Sequence, residues 1–216
     1  MADKAAKSEN KKIENPIRIA VLVSGGGTNL QALIDAEGSG ILKSGSIKLV
    51  VSNNKEAYAL KRAAKAKIKS EAFTAKELGG LKAFEDKLIK TLEDNDIEMI
   101  VLAGFMSILS KTFTDKYAGR IINIHPSLIP SFCGKGFYGL HVHEAALSYG
   151  VKVTGATVHY LNEIPDGGEI IMQKAVAVHK GDTPEVLQRR VMEQAEWKIL
   201  PRAAEAVARK LLRARS

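Results

Sequence analysis

The stretch Ile17-Arg18-Ile19-Ala20-Val21-Leu22-Val23-Ser24-Gly25-Gly26-Gly27-Thr28-Asn29-Leu30 decides the fold. Its first seven residues form a short apolar run rich in branched side chains, which suits a strand buried on both faces. Three glycines follow, then a helical stretch from Leu30 to Glu37 with Leu30, Leu33 and Ile34 on one face. Glycines let the chain turn tightly and approach a ligand, and a helix start offers unpaired amides and the positive end of a dipole. A phosphate is the favoured guest, with Thr28 and Asn29 beside Gly27 supplying side-chain hydrogen bonds. The spacing matches neither GxxxxGK followed by Ser or Thr nor GxGxxG, which argues against nucleoside triphosphates and dinucleotides. The plain alternative is a tight turn with no ligand.

Working outward, Ile47 to Ser52, Glu98 to Ala103 and Arg120 to Ile124 read as further strands, and Ala57 to Ala66 and Leu81 to Leu92 as helices. This alternation predicts an α/β fold whose mostly parallel sheet has helices on both faces. Past Ile124 the rhythm changes. A loop rich in Pro and Gly runs from Pro126 to Gly139, followed by a helix from His141 to Ser148. Val153 to Tyr160 and Glu169 to Val178 read as extended segments flanking the turn Pro165-Asp166-Gly167-Gly168; paired as a hairpin, they make the sheet mixed. The end is helical, with Thr183 capping a helix that begins at Pro184, and Pro201 opening a second. Residues 1–15 are polar, lysine-rich and without period, and read as a disordered tail before one domain over residues 16–216.

Composition narrows the function. The chain has 216 residues, 45% apolar and 26% charged, enough for a packed core and incompatible with wholesale disorder. No apolar stretch reaches the roughly 18 residues of a spanning helix, and the first residues lack the apolar core of a secretory signal. One cysteine, Cys133, allows no internal disulfide and fits a reducing compartment, so a cytoplasmic location is expected. The net charge is +8, but residues 198–216 alone carry six basic residues against one acidic, with no aromatic after Trp197. A nucleic-acid surface needs a basic face on the folded body, so a solvated helix face explains this excess better and no nucleic-acid partner is expected.

Three places carry chemistry. In Asn123-Ile124-His125-Pro126, alternation projects Asn123 and His125 to one side at the carboxyl end of a strand, where ligands gather in open α/β sheets. An amide beside an imidazole suits a carbonyl becoming an oxyanion, the first donating a hydrogen bond and the second a proton or charge-assisted bond. Asp166 becomes functional if its turn folds back to that strand end, where the carboxylate could hold His125 protonated or fix a relay water; a local turn role is its bland reading. Val101 to Met106 reads as core sooner than as the wall of a flat pocket. His141 and His143 lack a third partner with metal-ligand spacing, and Cys133 has no pairing histidine, so neither a metal nor a cysteine nucleophile is expected.

Together, SGGGTNLQALIDA, VVSNN, VLAGFMSILS, IINIHPSLIPSF, GLHVHEAAL, TGATVHYLNEIPDGGEII and GDTPEVLQRRV resemble the phosphoribosylglycinamide formyltransferase family from about Ile17 to Ala206. The resemblance implies a single-domain Rossmann-like formyltransferase fold with a mixed sheet. It implies transfer of a formyl group from the co-substrate 10-formyltetrahydrofolate to the amine of glycinamide ribonucleotide, in purine biosynthesis and without a metal. It places the catalytic asparagine, histidine and aspartate on Asn123, His125 and Asp166, and the phosphate loop on Gly27, Thr28 and Asn29. The folate pocket falls on Met106, Ser107, Ile108 and Leu109, with Asn123 and a second wall at Asn162, Glu163, Ile164, Pro165 and Asp166. The late ribonucleotide-contacting glutamate matches Glu196, across a one-residue difference in length. Ser107 stands where many members have a basic residue, Lys82 is the stand-in for a folate-contacting arginine, and the loop Ser131 to Tyr138 is longer than in many members. Small-molecule substrates, no membrane and a monomer or homodimer are expected. The rivals are a formyltetrahydrofolate deformylase and a methionyl-tRNA formyltransferase, each expected to carry a further domain, and a non-catalytic phosphometabolite-binding protein.

Overall fold

The computed structural model describes residues 13–215. Its elements, in chain order, are β1 (Ile17–Val23), α1 (Thr28–Gly38), β2 (Gly45–Ser52), α2 (Tyr58–Lys65), β3 (Lys69–Ala72), α3 (Ala75–Leu78), α4 (Leu81–Glu93), β4 (Met99–Leu102), α5 (Lys111–Lys116) and β5 (Ile121–His125). There follow α6 (Leu140–Tyr149), β6 (Val153–Tyr160), β7 (Ile170–Ala177), α7 (Pro184–Val191), a π-helical turn (Met192–Glu196) and α8 (Trp197–Arg215).

The seven strands form one sheet in the order β3-β2-β1-β4-β5-β6-β7. Neighbours from β3 to β5 are parallel, while β5–β6 and β6–β7 are antiparallel, so the expected mixed sheet and hairpin are present. The period of two in β1 sorts its side chains onto two cores. Ile17, Ile19, Val21 and Val23 join the helices α1, α2, α7 and α8 on one face. Ala20 and Leu22 meet Phe84, Leu88 and Leu92 of α4 and Phe113 of α5 on the other. Chain order reverses between β1 and β4, the switch point at which open sheets leave a crevice at the carboxyl ends.

Three short elements escape sequence reading. β3 is a four-residue edge strand, Lys-Ser-Glu-Ala, with no apolar alternation to reveal it. Helices α3 and α5 span four and six residues, too short for a helical period to register, although Thr74 and Ser110 cap them through side-chain bonds. One expectation is corrected. Pro201 does not open a helix; it lies inside α8, which starts at Trp197. The helical run reaches it from the π turn Met192–Glu196 through Trp197–Leu200, so the proline marks no boundary. Of the tail expected over residues 1–15, residues 1–12 lie outside the described residues. Among the described residues no helix is long and apolar enough to cross a membrane.

Candidate active site

Asn123, His125 and Asp166 meet at the carboxyl end of β5. The antiparallel register sets Asn123 opposite His159 and His125 opposite Thr157. The turn after β6 then carries Asp166 back to the same end. Its Oδ2 lies 3.5 Å from His125 Nδ1, and its Oδ1 accepts from Asn123 Nδ2 at 3.5 Å. Asp166 has a φ of 56°, the left-handed region that aspartate tolerates better than most residues. The turn closes so tightly that a Cβ on Gly168 would stand 1.8 Å from the Tyr160 carbonyl oxygen, which excludes any larger residue.

Sequence reading missed a fourth member, His159. It is fully buried. Its Nδ1 lies 2.8 Å from the Tyr160 carbonyl, which can only accept, so Nδ1 carries the proton and Nε2 accepts from Asn123 Nδ2 at 3.1 Å. Nε2 also lies 3.6 Å from Asp166 Oδ1. His159 thus orients the carboxamide of Asn123. The only available signal was its place on a strand that would pair with β5, and register across a connection running from residue 126 to 152 is not written in local pattern.

The loop between β5 and α6 feeds two backbone groups into this cluster. His125 Nε2 donates to the Phe132 carbonyl at 2.8 Å, and the Gly134 amide donates to Asp166 Oδ2 at 2.8 Å. Burial pushes the His125 pKa down, against the raising effects of Asp166 and the Phe132 carbonyl. Desolvation thus outweighs the carboxylate in this arrangement. Burial also opposes the charge on Asp166, but His159, His125 and the Gly134 amide together outweigh it and hold the carboxyl below its usual range. Cys133, in the same loop, has its thiol pushed up by burial and by Asp166, the wrong direction for a nucleophile.

A cavity of about 830 Å³ opens from this cluster along the ends of β4 and β5. Met106, Ser107, Ile108 and Leu109 line it on one side and Asn162, Glu163 and Pro165 on another, with residues 134–139 across the mouth. Asn29 and Glu196 close its far end. Two expected members are absent from its walls. Ile164 is 58% exposed beside the turn, and Lys82 points into solvent from α4, paired with Asp86 at 2.8 Å. In this arrangement Lys82 is paired on the helix surface and does not line the cavity.

The glycine loop lies at the start of α1. Gly27 is the N-cap residue, with φ 70° and no side chain capping the helix, and the described residues make no hydrogen bond to the amides of Gly27, Thr28 or Asn29. Asn29 turns its Nδ2 to Glu196 Oε2 at 2.6 Å, whereas the Thr28 hydroxyl faces Met192 Sδ at 3.7 Å. Burial raises the Glu196 carboxyl to about 7, against the Asn29 hydrogen bond. A π turn, a feature that recurs at functional sites, precedes α8. Met192–Glu196 is that turn, and its last residue is the buried carboxyl against Asn29. His141 and His143 diverge: His141 pairs with Glu144 at the surface, and His143 is fully buried with its pKa pushed down to about 4 by burial and His125. Among the described residues no group of three His, Cys, Asp or Glu could hold a metal ion.

An uncapped helix start, a cavity and an amide–imidazole–carboxylate cluster at the switch point of an α/β sheet are the parts a group transferase would use. The formyl transferase family matches residues 17–204, and the chain belongs to that family. The relatives that it matches along most of their length are phosphoribosylglycinamide formyltransferases. That of Haemophilus influenzae is 41% identical over 85% of this chain and 84% of its own, and that of Escherichia coli 40% identical over 82% and 81%. The solved structure of glycinamide ribonucleotide transformylase 1 from Symbiobacterium toebii superposes with a TM-score of 0.85, at 37% identity, over 95% of this chain and 94% of that one. The trifunctional purine biosynthetic protein adenosine-3 of Gallus gallus is 44% identical over 90% of this chain, which spans only 19% of that relative.

Proposed function

We propose that the chain transfers the formyl group of 10-formyltetrahydrofolate to the amine of glycinamide ribonucleotide, a step of purine biosynthesis. The observation that carries this reading is the convergence of Asn123, His125 and Asp166 on a cavity that is also lined by Asn29, in the first turn of the uncapped helix α1. The names of the full-length relatives support it.

The folate donor occupies the walls at 106–109 and 162–166, with its formyl carbon beside Asn123. The ribonucleotide phosphate sits on the amides of Gly27, Thr28 and Asn29, and Glu196 meets its ribose. Held in line, the amine attacks the formyl carbon, and anchoring both reactants supplies much of the acceleration. As the new C–N bond forms, the carbonyl electrons move onto oxygen. Asn123 Nδ2–H and the His125 ring N–H donate to that oxyanion. The ring can do so once substrate displaces the Phe132 carbonyl from Nε2. Asp166, through a held water, takes the proton that leaves the attacking nitrogen and returns it to the departing folate nitrogen, so no net proton is consumed. His159 keeps the Asn123 amide aimed throughout.

The rival acceptor is water, the deformylase reaction. Formation of tetrahydrofolate, followed by absorbance with and without glycinamide ribonucleotide, separates the two. Product that requires the ribonucleotide supports the transferase; product at equal rate without it identifies a hydrolase, and none in either case leaves a binding protein.

A further inference from the structure

The glycine loop is braced from outside the cavity, by α2. The Ala59 amide donates to the Gly25 carbonyl at 3.0 Å, and Arg62 Nε donates to the Gly26 carbonyl at 2.9 Å. The Arg62 Nη1 reaches on to Gln31 Oε1 of α1 at 3.2 Å, and its guanidinium lies 5.2 Å from the centre of the Tyr58 ring. Gly27 presses onto this support so closely that a Cβ would stand 2.6 Å from Ala59 Cβ and 3.4 Å from Arg62 Cδ.

The consequence follows from peptide geometry. In a trans peptide the C=O of one residue and the N–H of the next point in opposite directions. A Gly26 carbonyl held by Arg62 therefore turns the Gly27 N–H away from α2. Glycine peptides rotate freely when nothing holds them, so the direction of that amide depends on the hold. A guanidinium suits the task because its planar fork bonds two acceptors at once and stacks on an aromatic face, which a lysine cannot reproduce.

We propose that Arg62 is a positioning residue for anion recognition: by locking the Gly26–Gly27 peptide it keeps the Gly27 amide aimed at the phosphate of the acceptor. This rests on reading the loop as the phosphate cradle. Its test uses R62M, which keeps the packed stem, and R62K, which keeps the charge. In steady-state assays R62M raises the KM for glycinamide ribonucleotide about tenfold, the cost of a lost charge-assisted contact, with the folate KM and kcat within twofold. The dephosphorylated acceptor, glycinamide riboside, shows no such difference between R62M and the original protein. R62K is weakened in the same sense; full activity of R62K would mean that charge alone matters and would overturn the proposal. So would an unchanged ribonucleotide KM in R62M, or an equal loss for ribonucleotide and riboside.

A second measurement needs no catalysis and so separates this proposal from the assigned reaction. Ribose 5-phosphate, titrated while the Gly27, Thr28 and Asn29 amide resonances are followed, shifts them in the unmodified protein and binds about tenfold more weakly to R62M. Absent shifts, or equal affinity in both proteins, overturn the proposal even if formyl transfer is confirmed. Loss of transfer with these shifts intact would instead count against the assigned reaction.

Discussion

Burial and Asp166 pull the His125 imidazole in opposite directions, and burial prevails. Replacing Asp166 by asparagine removes the opposing charge, so the His125 pKa falls further; an NMR titration of the ring checks this, and an unchanged or higher value would refute it. In His125→Ala one donor to the oxyanion is lost, and kcat drops by roughly 10²–10³ with substrate KM values little changed. Near-normal turnover at saturating substrates would remove His125 from the mechanism. At this scale the sequence was legible where function sits in a compact motif: Asn123 and His125 share a strand face by spacing alone. Asp166 was legible only as a turn residue until its fold-back was known, and His159 was not legible, since an isolated histidine inside an apolar strand gives no sign of what stands opposite. Lys82 shows the converse. The resemblance offered it as a folate contact, and in the structure its ammonium pairs with Asp86 one turn along α4.

The π turn belongs to the scale of elements. It delivers Glu196 to a fully buried position, where the proton is held to about 7, well above the ordinary 4.5 of a glutamate. A carboxyl whose folded pKa is raised contributes stability that is fully present below about 4.5 and is lost as pH rises through about 7. Glu196→Gln removes that loss. The variant is therefore more stable than the original above pH 7, and the two converge as pH falls toward 4.5; urea midpoints across this range check the sign. Long elements with apolar periods, such as β1, α4 and β6, were readable to within a residue or two. The π turn was not, because one extra residue in a helix leaves its composition unaltered. Pro201 misled because a proline suits a helix's first turn but does not by itself show that the helix begins there.

Across the whole molecule, stability rests on two apolar layers separated by the sheet. Leu88 of α4 is fully buried in the layer that holds Phe84, Leu92 and Phe113, and it does not itself line the cavity. Leu88→Ala is expected to cost about 2–5 kcal/mol by denaturant titration while kcat at saturation is retained; a loss of activity without a loss of stability would contradict the division between core and site. The architecture itself was legible, because a glycine turn between a branched strand and an amphipathic helix, repeated with alternation, leaves few other topologies. The β6–β7 hairpin was legible too, from the proline–aspartate–glycine turn between its strands, whereas the reversal of direction that sets β6 antiparallel to β5 was not. What could not be read was which residues that reversal would bring face to face.

The pairing of β5 with β6 carries a further meaning for how the protein comes into being. Asn123 and His125 on one strand, His159 on its neighbour and Asp166 just beyond all take their places from a single ladder of backbone bonds. A slip of one residue in that ladder would turn His159 to the opposite surface and break the group up. The group is therefore complete only once the two strands have closed on each other in this register.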